Sequence, residues 1–504
     1  MRKLLVILIL AMIFSGCIGE KGKTGTGKYK DVFVLGDGKD HRLKSGKWGI
    51  GFFPKIHVLE RLVEYDMSND RYVPSLAESW EIKDRKIIFH LKRGIKFSDG
   101  TPFNAKAVKF SLDRMIANKE SLAKDIENVE VIDEYTVAVT FKEGKFFNLA
   151  KFGEFHFGIM APTSVTPAGD PNGTFVKPIG TGPFKVISYK EEQEVIYEPN
   201  EYWYKRKGIK PKFKKFIVKI IPDDETRVMA LRSGEVDAIT DFIHGGDPYT
   251  PRNQLPVLER EGYKIYKRNV PITWIIAFNY QKEPMSDPEI RKAFNLAINR
   301  QEIKKLFEGY VRAADKGMFA PEVPGMKEAE IEYEYNPEKA KEILKGKRVK
   351  LDFIVSKGEN DQILVAQLLK EQLKKAGFDV NLRILEPGAY RQERKSGNYD
   401  IRLYYIGGTD RRFYLRLYWR FDPEREWKAY SSDRVGKLCR DVLKEFDSSK
   451  RKEKLIEMYR AIYNESGVAP LYHDMMTVIT RDNVDVGNLF EMPEPNFAYV
   501  GVKK

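Results

Sequence analysis

Short stretches in which apolar and polar residues alternate recur along the chain: IIFHL (87–91), TVAVTF (136–141), KFIVKII (215–221), TWIIAFN (273–279) and VKLDFIV (349–355). Alternation with period two, rich in Val, Ile, Phe and Thr, predicts strands. Between them the apolar period lengthens to three or four, which predicts helices. In SDPEIRKAFNLAINRQEIKKLF (286–307), Asp287 suits an N-cap and Pro288 the first helical position, and Ile290, Phe294 and Ala297 line one face. In PDDETRVMALRSGEVDAI (222–239), a short helix turns Val228 and Leu231 inward, stops near Gly234 and returns to a strand at Val236. Strands interleaved with helices predict an α/β architecture.

FSDGTPFNAKAVKFSLDRM (97–115) holds Asp, Thr, Asn and Lys close together and looks at first like a chemical site. Each residue has a structural task instead. Asp99-Gly100 is turn chemistry, Asn104 is an N-cap, and Phe103 and Val108 stand at the positions of a hydrophobic staple. Val108, Leu112 and Met115 then share a helical face.

At 504 residues the chain needs several cores. Its net charge of +14 is spread among 73 acidic residues, so no basic patch marks a nucleic-acid partner. The densest cluster, KRKGIKPKFKKF (205–216), leads straight into a predicted strand and reads as a solvated loop and strand face. Arg2 and Lys3 precede an unbroken apolar run from Leu4 to Phe14, then Ser15-Gly16-Cys17. As a helix the run spans about 17 Å against a hydrocarbon core of about 30 Å, so residues 1–16 read as a signal peptide. Cys17 after small residues is similar to a lipobox, which implies lipidation of Cys17, with residues 17–30 as a flexible tether. Cys439 is the only other cysteine, leaving no internal disulfide for the mature chain.

Enzyme motifs are missing: there is no G-x-S-x-G, P-loop or H-E-x-x-H. His41, His57, His90, His156, His244 and His473 are dispersed, and no metal site or cofactor is expected. The expectation is a binding protein, with a peptidase-like enzyme or a ligand-reporting sensor as alternatives from other classes.

YVPSLAESWEI, FHLKRGIKFSDGTPFNAKAVKFSL, PIGTGPFKV, NEYWYKRKGIKPKFKKFIVKIIPDDETRVMALRSGEVDAI and IRKAFNLAINRQEI occur in this order. Together they resemble the family 5 solute-binding proteins of ABC importers, the peptide and nickel class. The resemblance implies a two-lobed fold like that of periplasmic binding proteins, class II in type, with an inserted subdomain and a hinge. It places the first lobe at 31–51, 176–276 and 480–504, the subdomain at 52–175 and the second lobe at 277–479. The chain would cross between lobes near TWIIAFN and TVITRDN. It would work as a lipid-anchored monomer on the outer face of the cytoplasmic membrane, bringing a small solute to permease subunits and their ATPase.

For the solute, the resemblance implies a short peptide first and nickel or another metal as an organic chelate second. IRLYYIGGTDRRFYLRLYWRF (401–421) keeps Asp410, where peptide-binding relatives pair an Asp with the ligand's ammonium, but lacks the surrounding Trp and Asp-Pro pattern. Asp410 as ammonium partner and Asp410 as a loop or cap residue both stay open. Between Arg411 and Leu438 there is no His, which disfavours a directly ligated bare metal ion. Arg412, Arg416 and Arg420 recur at spacing four with Phe413, Tyr414, Tyr418 and Trp419 interleaved. On a helix the arginines share a face, suited either to gripping an acidic ligand or to an exposed basic surface. Trp48 and Trp274 are further candidates for the cleft wall.

Overall fold

The computed structural model of the chain describes residues 28–38, 57–120, 122–143, 149–240, 252–407, 413–425, 428–490 and 496–504. Every alternating run named above falls on a strand, two of them running one residue past its end, at Ile221 and Asn279, and the strand expected from Val236 begins at Ala238. One 11-stranded sheet runs through the molecule. Its first half contains, in spatial order, Phe184–Lys190, Glu194–Pro199, Lys215–Ile220, Val32–Asp37 and Ala238–Thr240. Its second half ends in Ile401–Gly407, Val349–Ser356 and Phe378–Leu385. Two long antiparallel strands, Lys264–Phe278 and Val468–Thr480, join the halves.

These strands show why the molecule has two parts. Lys264 to Asn269 pair with Thr480 to Met475; regular pairing then lapses and resumes at Thr273 with His473. Pro271 lies in the gap, where a residue without an N–H cannot extend the ladder. Gly407, paired with Ile272, has φ +80°, and a Cβ there would lie 1.8 Å from the Pro271 carbonyl oxygen. Only glycine lets the neighbouring strand approach so closely. Val270, Ile272 and Met476 form a small apolar cluster at this crossing.

Residues 77–141 include a separate antiparallel sheet ordered Ala77–Lys83, Lys86–Leu91, Thr136–Phe141, Ile126–Asp133. Helix Ala105–Ala117 covers it with Val108, Leu112 and Met115 buried. Asn104 caps the helix, its Oδ1 accepting from the Ala107 amide at 3.2 Å, and Asp99 accepts from the Thr101 amide and hydroxyl. The turn, cap and buried face read from residues 97–115 are present. Phe89 and Val108 share one core with Phe33 and Leu35, so this sheet is packed onto the first half. The hairpin Val63–Asp66/Arg71–Pro74 reaches the other way: Tyr65 and Met67 pack among Tyr414, Phe421 and Leu455.

In the second half, helix Asn360–Lys375 buries Val365, Leu369 and Leu373 against the sheet. Helices Phe413–Phe421, Asp433–Lys444 and Ser448–Asn464 carry the other core. Replacing Asn104 by Ala is expected to lower stability by about 1 kcal/mol in urea denaturation, the usual cost of a lost cap, without altering solute affinity in calorimetry.

Candidate ligand-binding site

Where the joining strands cross, their buried polar groups are tied into one network. Asp474 projects from Val468–Thr480 and is 3% exposed. Its Oδ1 accepts from Arg252 Nη2 at 2.7 Å and its Oδ2 from Trp274 Nε1 at 3.2 Å. Arg252 Nη2 also donates to the Met475 carbonyl at 2.9 Å. The Arg252 amide donates to both oxygens of Asp361, at 3.2 and 3.1 Å, in the first turn of helix Asn360–Lys375. Segments far apart in the chain therefore meet at one point.

Burial pushes Asp361 up to about 7, opposed by the nearby Arg252 charge and reinforced by Asp474 and Asp224. Burial, aided by Arg312, pushes His473 down to about 3, so its ring is neutral at physiological pH; its Nδ1 lies 2.9 Å from Thr273 Oγ1. Among the described residues, no group of three or more His, Cys, Asp or Glu side chains is placed to hold a metal ion.

Trp274 is 2% exposed, with its ring 22° from parallel to Tyr472 and 5.7 Å from Tyr405. A cavity of about 20 Å³, room for about one water, lies between Trp274, Tyr472, Asp361 and Asp224. Trp274 thus stands buried at the crossing, with its indole N–H committed to Asp474.

Helix Phe413–Phe421 brings Arg416 and Arg420 to the same side, as their spacing predicts, and both are buried. The Arg416 guanidinium lies 5.3 Å from the Tyr405 ring and 5.2 Å from that of Trp419. The exposed basic surface considered above is therefore not what these two form. Tyr414 does not face a cleft. It is 3% exposed, its hydroxyl donating to Asp70 Oδ1 at 2.6 Å and accepting from Arg451 Nε at 3.0 Å. Both hydrogen-bonding positions of the phenol are spent inside the protein, so packing and not solute contact occupies it. Trp48, Asp410, Arg412 and Cys17 lie outside the described residues.

Arg252, Asp361 and Asp474 were not singled out in the sequence. Asp474 carries a local signal, a carboxylate in the otherwise apolar run VAPLYHDMMTVIT; Arg252 and Asp361 carry none.

Two halves joined by a pair of crossing strands, with aromatic and charged side chains gathered at the crossing, define a two-lobed binding protein. The model for bacterial extracellular solute-binding proteins, family 5 Middle, matches residues 71–424. The chain belongs to this family, the solute-binding proteins of ABC importers. It is 28% identical to di/tripeptide-binding protein 2 of Pseudomonas aeruginosa, over 90% of this chain and 91% of that one. It is 26% identical to the nickel-binding periplasmic protein of Escherichia coli, over 87% of each. The crystal structure of NikA from Brucella suis in complex with Fe(III)-EDTA shares the fold, with a TM-score of 0.78, 22% identity, and coverage of 94% of this chain and 100% of that one.

Asp361 makes stability depend on pH. Its folded value is raised, so between about pH 4 and 7 the native state holds a proton that the unfolded chain has released, and stability falls as pH rises through this window. In urea titrations from pH 4.5 to 8, Asp361→Asn is expected to gain on the wild type as pH rises, by about 2–4 kcal/mol at the upper end. An unchanged difference across the window would contradict the assignment.

Proposed function

We propose that this chain captures a short peptide or peptide-like solute between its lobes and delivers it to an ABC permease driven by a separate ATPase. The observation that carries the reading is the similarity, over about nine-tenths of the chain, to a relative named for di- and tripeptides. Geometry supports it: Tyr405 is half-buried, touches Trp274, and stands beside the break in strand pairing at Val270–Ile272, where a hinge would sit. Closing over the solute by rotation at that break would sequester it and present the closed form to the permease.

In this reading residues 31–51, 176–276 and 480–504 form the first lobe, 52–175 its inserted subdomain and 277–479 the second lobe. Residues 1–16 are removed as a signal peptide, and a lipid on Cys17, through the tether to residue 30, holds the monomer at the outer face of the cytoplasmic membrane. Asp410 takes the peptide ammonium; Arg412, Arg416, Trp419, Trp274 and Trp48 complete the cleft. The protein binds without turning its ligand over.

A second reading, capture of nickel or another metal as an organic chelate, is favoured by the similarity to the Escherichia coli nickel-binding protein. Mass spectrometry of small molecules released on denaturing the purified protein separates the two. The expected outcome is a peptide, followed by binding of di- or tripeptides in titration calorimetry with a Kd of about 1 μM or tighter, near −8 kcal/mol. Release of a metal chelate, with no heat from any peptide, would overturn the first reading in favour of the second.

A further inference from the structure

Three buried arginines alternate with three aromatic rings in one continuous stack. The Arg402 guanidinium lies 4.0 Å from the centroid of Tyr404. Arg420 lies 4.2 Å from the same ring and 5.2 Å from Tyr405. Tyr405 in turn meets Arg416, which reaches Trp419. Arg402, Arg416 and Arg420 are 3%, 8% and 5% exposed. Strand and helix periodicity together build the stack. Along Ile401–Gly407, Arg402 and Tyr404 alternate onto one face; along Phe413–Phe421, Arg416 and Arg420 sit one turn apart.

So many cations in a small buried volume repel one another. Burial, with Arg416 and Arg402 alongside, pushes Arg420 down to about 10 despite the partly offsetting Tyr404 and Tyr405. Aromatic faces offset part of this cost; at Arg402 burial is outweighed by the neighbouring Tyr399, Tyr390 and Tyr404, which push its value up. Arg402 donates Nε to the Tyr399 hydroxyl at 3.3 Å, while its buried Nη1 has no hydrogen-bond partner. Arg420 donates Nε to the Tyr405 carbonyl at 3.1 Å. The carboxylates nearest in sequence serve other groups: Asp400 pairs with Lys282 at 3.2 Å and accepts from the Asp352 amide, and Asp422 pairs with Arg440 at 3.0 Å. Among the described residues no carboxylate pairs with Arg402 or Arg420. Buried charges without counter-charges are normally eliminated or matched. The stack also reaches the crossing, where the Tyr405 ring lies 5.7 Å from Trp274 and packs against the cluster of Val270, Ile272 and Met476.

The geometry points to an anion subsite in which Arg402 and Arg420 each take one oxyanion group of the solute and Tyr404 spaces the two. This rests on the proposal that a solute binds between the lobes, and adds its chemical class: an anion with at least two carboxylate or equivalent groups, such as an acidic peptide or a polycarboxylate chelate. Guanidinium forks favour planar oxyanions through paired hydrogen bonds, which lysine cannot reproduce.

The test uses the mature chain stripped of bound molecules, at constant ionic strength, with two probe pairs: Glu-Glu against Gln-Gln, and citrate against its trimethyl ester. The acidic member of at least one pair is expected to bind at least about tenfold tighter than its neutral partner, and to raise the melting temperature. Arg402→Gln and Arg420→Gln should each weaken the acidic probe by about tenfold, the usual scale for losing a charged hydrogen bond, and leave the neutral one unchanged. Arg402→Lys and Arg420→Lys, which keep the charge and lose the fork, should fall between. Equal affinity for both members of both pairs overturns the subsite even if every variant fails to fold; so does an acidic-probe affinity unchanged in well-folded variants. If Gln-Gln binds as tightly as Glu-Glu, the subsite falls and peptide capture stands. If denatured protein yields no small molecule and no peptide gives heat, while citrate still stabilises the wild type through Arg402 and Arg420, capture of peptides falls and the subsite stands.

Discussion

The buried ion pair between Arg252 and Asp474 is the interaction on which the arrangement of the two halves depends. Where Lys264–Phe278 and Val468–Thr480 pass between halves, the ladder lapses at Pro271, and the side chains there must satisfy polar groups that a regular sheet would have paired. The pair meets part of that demand, Asp474 Oδ1 accepting from the Met475 amide at 2.8 Å and Arg252 Nη2 donating to the Met475 carbonyl at 2.9 Å, while Asp474 also accepts from Arg252 and Trp274. A buried ion pair of this kind adds little net stability, because desolvation cancels much of the attraction, but removing either partner strands the other. Its effect is positional: it sets the Trp274 indole against Tyr472 and Tyr405, and its arginine carries the backbone amide that meets Asp361.

A second tie acts away from the crossing. Arg451, buried in helix Ser448–Asn464, pairs with Asp70 at 3.1 Å and donates to its carbonyl at 2.8 Å, while Tyr65 and Tyr414 both donate to Asp70 Oδ1. Burial, together with the Asp70 charge, raises both phenols well above their usual range, so they stay protonated as donors. Asp70 sits in the hairpin Val63–Asp66/Arg71–Pro74, just ahead of the separate sheet that is packed on the first half. Any opening of the cleft must therefore either break this buried cluster or carry the hairpin along with the second half. The hairpin's apolar residues, Tyr65 and Met67, already belong to the second-half core, which favours the hairpin moving with it.

Local chemistry made much of the fold readable in advance. Asn104 and Asp287 cap the helices they were expected to cap, because a cap is settled by the few residues that follow it. The alternating runs became strands because period two needs no distant partner to be recognised. The crossing was not readable in the same way. Arg252 reaches Asp361 and Asp474 across 109 and 222 positions, and Tyr414 is drawn into the core by Asp70, 344 positions away. Spacing along one helix brought out Arg416 and Arg420, yet passed over Arg402, whose relation to them exists only once strand Ile401–Gly407 is laid beside that helix. A lone arginine in that otherwise apolar strand was the available signal.

In the proposed binding cycle, solute charge and lobe closure are linked through these same residues. A solute shifts the balance between open and closed forms only by interacting better with one of them. Arg402, Arg416 and Arg420 all belong to the second half, held by one strand and one helix, so their mutual repulsion is present whether the cleft is open or closed. What closure changes in this scheme is the surroundings: water is excluded from beside the crossing, where Tyr405 meets Trp274, and the dielectric around the cations falls. Lower dielectric raises both the mutual repulsion of the cations and the attraction of a bound anion. Without an anion, closure tightens a repulsive cluster; with one, it strengthens a set of charge-assisted hydrogen bonds. The sign of that term reverses with occupancy, which is the differential interaction a binding protein needs if the permease is to meet its closed form chiefly when loaded.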